Sequence, residues 1–140
     1  MCEISSTKSK IKSGYKVLAI KDDKFYSTFT GQELNCGIVP KAPEKCNRLS
    51  VNWASVIESP TWKTHPLYNP KFDGMTASFV ERQDAIHLFM SLKQLGILLW
   101  DYSLCVVYIT YKGTVYEGNY GRTTVIAGRH IKTIEKIRGI

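Results

Sequence analysis

The chain has 140 residues, 44% of them hydrophobic and 22% charged, with a net charge of +7. That is the size and composition of one ordinary globular domain, long enough to bury roughly two-thirds of its unfolded surface without a metal or disulfide staple. No apolar run in it approaches the roughly 20 residues that cross a bilayer.

Residues 1–13 are rich in Ser, Thr and Lys and read as a flexible basic N-terminal segment. They contain no apolar core of a secretory signal, so a cytoplasmic protein with no membrane partner is expected. Gly14 to Ile20 reads as a strand, Lys21-Asp22-Asp23-Lys24 as a turn and Phe25 to Thr30 as a second strand, which together make a β-hairpin closed by Gly31. A short extended piece at Gly37-Ile38-Val39 leads to Pro40 and Pro43. Arg48 to Ile57 suits a further strand, with Leu49, Val51, Trp53 and Ser55 on one face.

Residues 58–73 (ESPTWKTHPLYNPKFD) form a long proline- and aromatic-bearing loop. Pro60, Pro66 and Pro70 forbid a regular helix or a central strand. Trp62, His65, Tyr68 and Phe72 are costly to leave in water, which argues for an ordered loop. It serves either as a recognition surface or as an Ω-like loop whose rings plug the end of the core.

Met75 to Val80 reads as a short strand. Glu81 to Leu95 is the clearest helix, with Ala85, Ile86, Leu88, Phe89, Leu92 and Leu95 on one face, Glu81 and Asp84 in the first turn, and Gly96 as the stop. His87 falls on the solvent face. Leu104 to Tyr111 and Thr114 to Glu117 flank Lys112-Gly113, the signature of a tight hairpin. Gly118 to Gly121 is a turn, Thr123 to Ala127 a strand, and His130 to Ile137 a final strand or helix, the strand being favoured by its β-branching. The sum is a single α+β domain over 14–140, an antiparallel sheet with one amphipathic helix packed on one face.

Charge is placed unevenly. Residues 1–24 hold six lysines against three acids, and 112–140 hold six Lys or Arg against Glu117 and Glu135. If the chain ends share a sheet they make one positive face, suited to phosphate or an acidic protein; scattered solubilising lysines are the plainer alternative. Four cysteines, Cys2, Cys36, Cys46 and Cys105, match no zinc module. Cys36 and Cys46 flank a proline-bearing loop and could approach each other or, with His65, a metal; such sparse residues are usually structural, and reduced thiols are the expectation. Neither a metal nor a cofactor is expected.

The chain lacks the phosphate-loop, dinucleotide-loop, metalloprotease and nucleophile-elbow motifs. Four weaker constellations survive. Cys2, if exposed by removal of Met1, has the amine and thiol of an N-terminal nucleophile. Tyr108, Tyr111, Tyr116 and Tyr120, with Lys112, Arg122 and Arg129 nearby, carry the aromatic and basic mixture that stacks bases and holds phosphates. Trp53, Trp62, His65 and Tyr68 offer a pocket wall or a protein-binding hot spot. Glu117, at a strand near Arg122, is the single carboxylate that a transferase acting on a nicotinamide dinucleotide would need.

The runs Gly14-Tyr15-Lys16-Val17, Lys24-Phe25-Tyr26-Ser27 and Phe29-Thr30-Gly31, with Asp84-Ala85, the opening Met1-Cys2 and the closing Gly128-Arg129-His130-Ile131, resemble small uncharacterised proteins of phages and their bacterial hosts. Where those proteins carry a glycine–aromatic signature before the helix, this chain has Gly74-Met75-Thr76-Ala77-Ser78-Phe79, an approximate match. The resemblance implies a small cytosolic accessory protein acting on host machinery, and supplies no catalytic residue.

The expected function is therefore a binding or inhibitory accessory protein that recognises a protein or nucleotide partner, with homo-oligomerisation compatible. Its expected binding residues are Trp53, Trp62, His65, Tyr68, Tyr116, Tyr120, Arg122 and Arg129. The alternatives are an enzyme using Cys2 or Glu117, and a non-sequence-specific nucleic-acid binder working through the basic ends.

Overall fold

The computed structural model describes residues 2–28, 31–41, 74–94, 102–120 and 122–140, with the backbone alone at 2–6 and 120. The described residues form a mostly antiparallel sheet and one helix. In chain order the strands are β1 (Cys2–Ser9), β2 (Ser13–Lys21), β3 (Lys24–Ser27), β4 (Glu33–Leu34), β5 (Gly37–Ile38) and β6 (Thr76–Phe79). Helix α1 (Arg82–Gln94) follows, then β7 (Ser103–Tyr111), β8 (Val115–Tyr120), β9 (Thr123–Gly128) and β10 (His130–Lys136). The spatial order is β1-β8-β9-β6-β2-β7-β10-β5, with β3 on β2 and β4 on β3. The expected strand over 48–57 and the loop 58–73 lie outside the described residues.

The hairpin read from Asp22-Asp23 is present: Lys21 pairs with Lys24 across a two-residue turn. Both aspartates have positive φ, 51° and 61°, as a turn that follows the sheet's twist requires. The tail is the strand β10, and α1 matches the expected helix to within a residue at each end.

The hairpin expected at Lys112-Gly113 does not exist. β7 pairs with β2 and β10, and β8 with β1 and β9. Instead, β7 and β8 are two parts of one long strand, and β9 and β10 are two parts of its partner. Val107 faces Lys136 and Ile109 faces Ile134 on one arm; Val115 faces Gly128 and Tyr120 faces Thr123 on the other. Both arms share one register, displaced by a residue only at Tyr111–Ile131. A bulge between Ile131 and Thr133 opens the displacement, and Lys112–Thr114, one residue longer than Arg129–His130 opposite, closes it. Bulges bend the strand that carries them, and this one folds the whole ribbon over on itself. The chain reversal read over Gly118–Gly121 moves accordingly: Gly118 to Tyr120 are strand residues, and the ribbon turns between Tyr120 and Thr123.

The fold-over creates the core. Val107, Ile109 and Tyr111 on one arm meet Val115 and Ile126 on the other, and Leu18, Leu34, Val39, Cys105 and Ile131 complete the buried cluster. Strand β6 joins the arms by pairing along β9 and touching β2 at Tyr15–Phe79. Gly14 permits that approach, since a Cβ there would stand 2.6 Å from Ser78 Oγ and 2.7 Å from the Phe79 carbonyl. On the opposite side of β2 and β7, Val17 and Val106 lie in a second cluster with Phe79, Val125 and the helical Ala85, Phe89 and Leu92. β7 is thus buried on both sides, which is why it reads as a continuous apolar run.

Within 1–13, Cys2–Ser9 is a strand on β8 rather than a loose segment. It lies at one end of the strand order, where only one side of the backbone pairs within the sheet. No helix among the described residues is long and apolar enough to cross a membrane.

Candidate functional site

The bend of the ribbon opens a cleft of about 380 Å³ lined by Lys112, Gly113, Thr114, Tyr116, Arg129 and His130. Two of these, Lys112 and Arg129, are positively charged, and none is acidic. The two sides of the cleft come from the two strands of the ribbon. The Lys112 amide donates to the His130 carbonyl at 2.9 Å, which holds the sides together. Gly113 has φ +82°, with open space where a Cβ would stand, so the 112–114 turn presents bare backbone on one wall. Lys8 stands across from Tyr116 on β1 and adds a third cation beside the cleft.

Arg129 is positioned from behind. The Val39 amide donates to its carbonyl at 2.8 Å. Gly74 is buried with φ +81°, and a Cβ there would lie 3.1 Å from Arg129 Nη1 and 3.9 Å from Lys41 Cγ. Lys41 and Gly74 therefore meet beside this guanidinium, although 32 residues separate them in sequence.

Of the residues singled out from the sequence, Tyr116 and Arg129 come together in the cleft. Tyr120 and Arg122 belong to the far end of β8 and the turn beyond it, four and six residues past Tyr116, about 14 Å or more along the strand. The backbone of Cys2 pairs with Tyr120 at that same far end. Glu117 follows Tyr116, so it projects to the other face of β8, the face of Val115 and Ile126. There it is half-buried and accepts a 3.0 Å hydrogen bond from Ser9 Oγ, which in turn accepts the Ile11 amide at 3.1 Å. Trp53, Trp62, His65 and Tyr68 lie outside the described residues. His87 is exposed beside Gln83.

Sequence reasoning passed over Thr114 and His130 and left Lys112 at the margin. The available signal was the matched lengths of 107–120 and 123–136. Paired end to end as one ribbon, they set Lys112-Gly113-Thr114 opposite Arg129-His130.

Among the described residues no group of three or more His, Cys, Asp or Glu is placed to hold a metal. Comparison with known protein families, curated proteins and solved structures gives no match.

Proposed function

We propose that this chain is a small accessory binding protein that holds an anionic partner, a nucleotide or an acidic protein segment, in the cleft at the bend of its C-terminal ribbon. The observation that carries this reading is the lining itself: Lys112 and Arg129 meet there with His130 and Tyr116, and none of the described lining residues is acidic. Positive charge gathered at one concave place focuses the field there and attracts anions. A binding role is favoured over catalysis because Glu117, the carboxylate offered for a transferase, faces away from these groups and is tied to Ser9. The free thiols of Cys36 and Cys105 suit a reducing, cytoplasmic setting.

Native mass spectrometry of the protein purified gently from its own cells tests the reading. A small molecule or a stoichiometric protein is expected to accompany the wild-type chain and to be lost from a Lys112→Glu/Arg129→Glu variant. Retention of the same species by that variant, or a wild-type chain that carries nothing, overturns it.

A further inference from the structure

We infer that the ligand of this cleft is a phosphate monoester of mononucleotide size, its phosphate held between Lys112 and Arg129 and its base lying against Tyr116 and Ile38. The inference rests on the binding role proposed above and narrows it to one chemistry.

Three features point to phosphate. Lys112 and Arg129 reach the cleft from opposite strands of the ribbon, so a dianion between them is contacted from two sides. A guanidinium presents a planar fork that grips two phosphate oxygens, and an ammonium supplies a point charge for a third. The Thr114 hydroxyl and the unobstructed backbone at Gly113 add neutral donors of the kind that complete phosphate sites on turns. A monoanionic carboxylate would leave part of this donor set unused.

Two features point to an attached base. Tyr116 is half-buried on the same lining, with a ring able to stack on a planar heterocycle. Ile38 is paired directly with His130 and is 72% exposed. Facing partners on neighbouring strands project to the same side, so an apolar surface continues from the His130 imidazole outward. An apolar residue this open, beside cations, matches a ligand with one charged end and one flat, weakly polar end.

Size separates a mononucleotide from a polymer. A volume of about 380 Å³ lies at the small end of the roughly 300–1,000 Å³ typical of small-molecule sites. A single strand of nucleic acid is instead tracked along an extended basic groove, whereas these cations are gathered at one bend.

Isothermal titration of the full chain with adenosine 5′-monophosphate, guanosine 5′-monophosphate, adenosine, inorganic phosphate and a ten-nucleotide single-stranded RNA decides the matter. A monophosphate is expected to bind, adenosine to bind at least tenfold more weakly, and inorganic phosphate to compete. Lys112→Ala and Arg129→Ala should each weaken the monophosphate at least tenfold, and Tyr116→Ala severalfold, with unchanged circular dichroism. Lys112 and Arg129 are exposed, so these variants keep the fold; Arg129→Lys, which keeps the charge and loses the fork, should fall between wild type and Ala. Equal binding of adenosine and its monophosphate overturns the inference. So does RNA binding that monophosphate does not displace, or failure of every phosphate probe to bind. If the phosphate probes fail while a partner still co-purifies and is lost from Lys112→Glu/Arg129→Glu, this inference falls and the binding role stands.

Discussion

The ring of Tyr111 lies against the bare Cα of Gly128: a Cβ at Gly128 would stand 2.6 Å from Tyr111 Cδ1. These residues sit at the two inner corners of the bend, and the ring reaches through it to β6. There the phenol oxygen is 2.9 Å from Ser78 Oγ and donates to the Thr76 carbonyl at 3.2 Å. One buried tyrosine thus ties the fold-over of the ribbon to the strand that joins its arms. Gly128→Ala should therefore force the ring aside and cost about 1–3 kcal/mol, the usual penalty of overpacking a core. Tyr111→Phe keeps the ring but leaves its partners short of a hydrogen bond, for about 1–2 kcal/mol. Urea unfolding of both variants checks the order; a neutral Gly128→Ala would mean that the corner is slack.

Alkaline pH should loosen the same core. Burial pushes the Cys105 thiol up from 9.0 to about 11, against smaller opposing effects of Lys136 and the Leu18 backbone. Burial likewise pushes the Tyr111 phenol well above its ordinary range, with the Ser78 hydrogen bond opposing. Both groups hold their protons more tightly when folded. Their contribution is fully present below the unfolded values and is lost as pH rises from about 9 through 11 for the thiol, with the phenol adding to the loss above about 10. Stability measured by urea at pH 8, 9.5 and 10.5 should fall steadily over that range, and Cys105→Ala should flatten the first part of the fall. In alkylation at pH 8 mapped by peptide mass, exposed Cys36 should react and Cys105 should not.

The β2–β3 turn should be improvable. Asp22 and Asp23 both sit at positive φ, 51° and 61°, where a side chain costs about 1–2 kcal/mol per residue unless it is glycine or, less favourably, Asn or Asp. Asp22→Asn/Asp23→Gly supplies the preferred pair for this turn and removes two exposed charges far in sequence from the cleft. A gain of about 1 kcal/mol in unfolding free energy is expected, with ligand affinity unchanged. A loss of stability would show that the aspartates make contacts that offset their backbone cost.

What was legible in the sequence was local. Helix α1 announces itself because Ala85, Phe89 and Leu92 recur at helical spacing and become its buried residues. The Asp22-Asp23 turn is equally local. The bend was not legible, because a Lys-Gly step between two apolar strands looks the same whether the chain reverses or merely kinks. Only the non-local partners decide: Tyr111 takes Ile131 and Val115 takes Gly128, so the chain runs on. Tyr116 and Arg129 were singled out by residue type alone. Lys112, Thr114 and His130 become neighbours of theirs only through that pairing, which no window of sequence around them contains. Cys2–Ser9 was missed for a related reason, since a polar edge strand has no alternation to display.

Gly74 should act on the cleft without touching its ligand. Its positive φ, +81°, and the 3.1 Å between a would-be Cβ and Arg129 Nη1 mean that Gly74→Ala strains the backbone and displaces the guanidinium by a few tenths of an ångström. The backbone effect should cost about 1 kcal/mol of stability. The displacement should weaken a phosphate-bearing ligand severalfold, because a bidentate grip depends on the angle of the fork. A purely structural role for Gly74 would predict the same loss whatever stands at 129. A positioning role predicts that Gly74→Ala does nothing further to affinity once Arg129→Ala is present, while its stability cost persists. A double-mutant cycle read by calorimetry for affinity and by urea for stability separates the two; additive losses of affinity would remove Gly74 from the site.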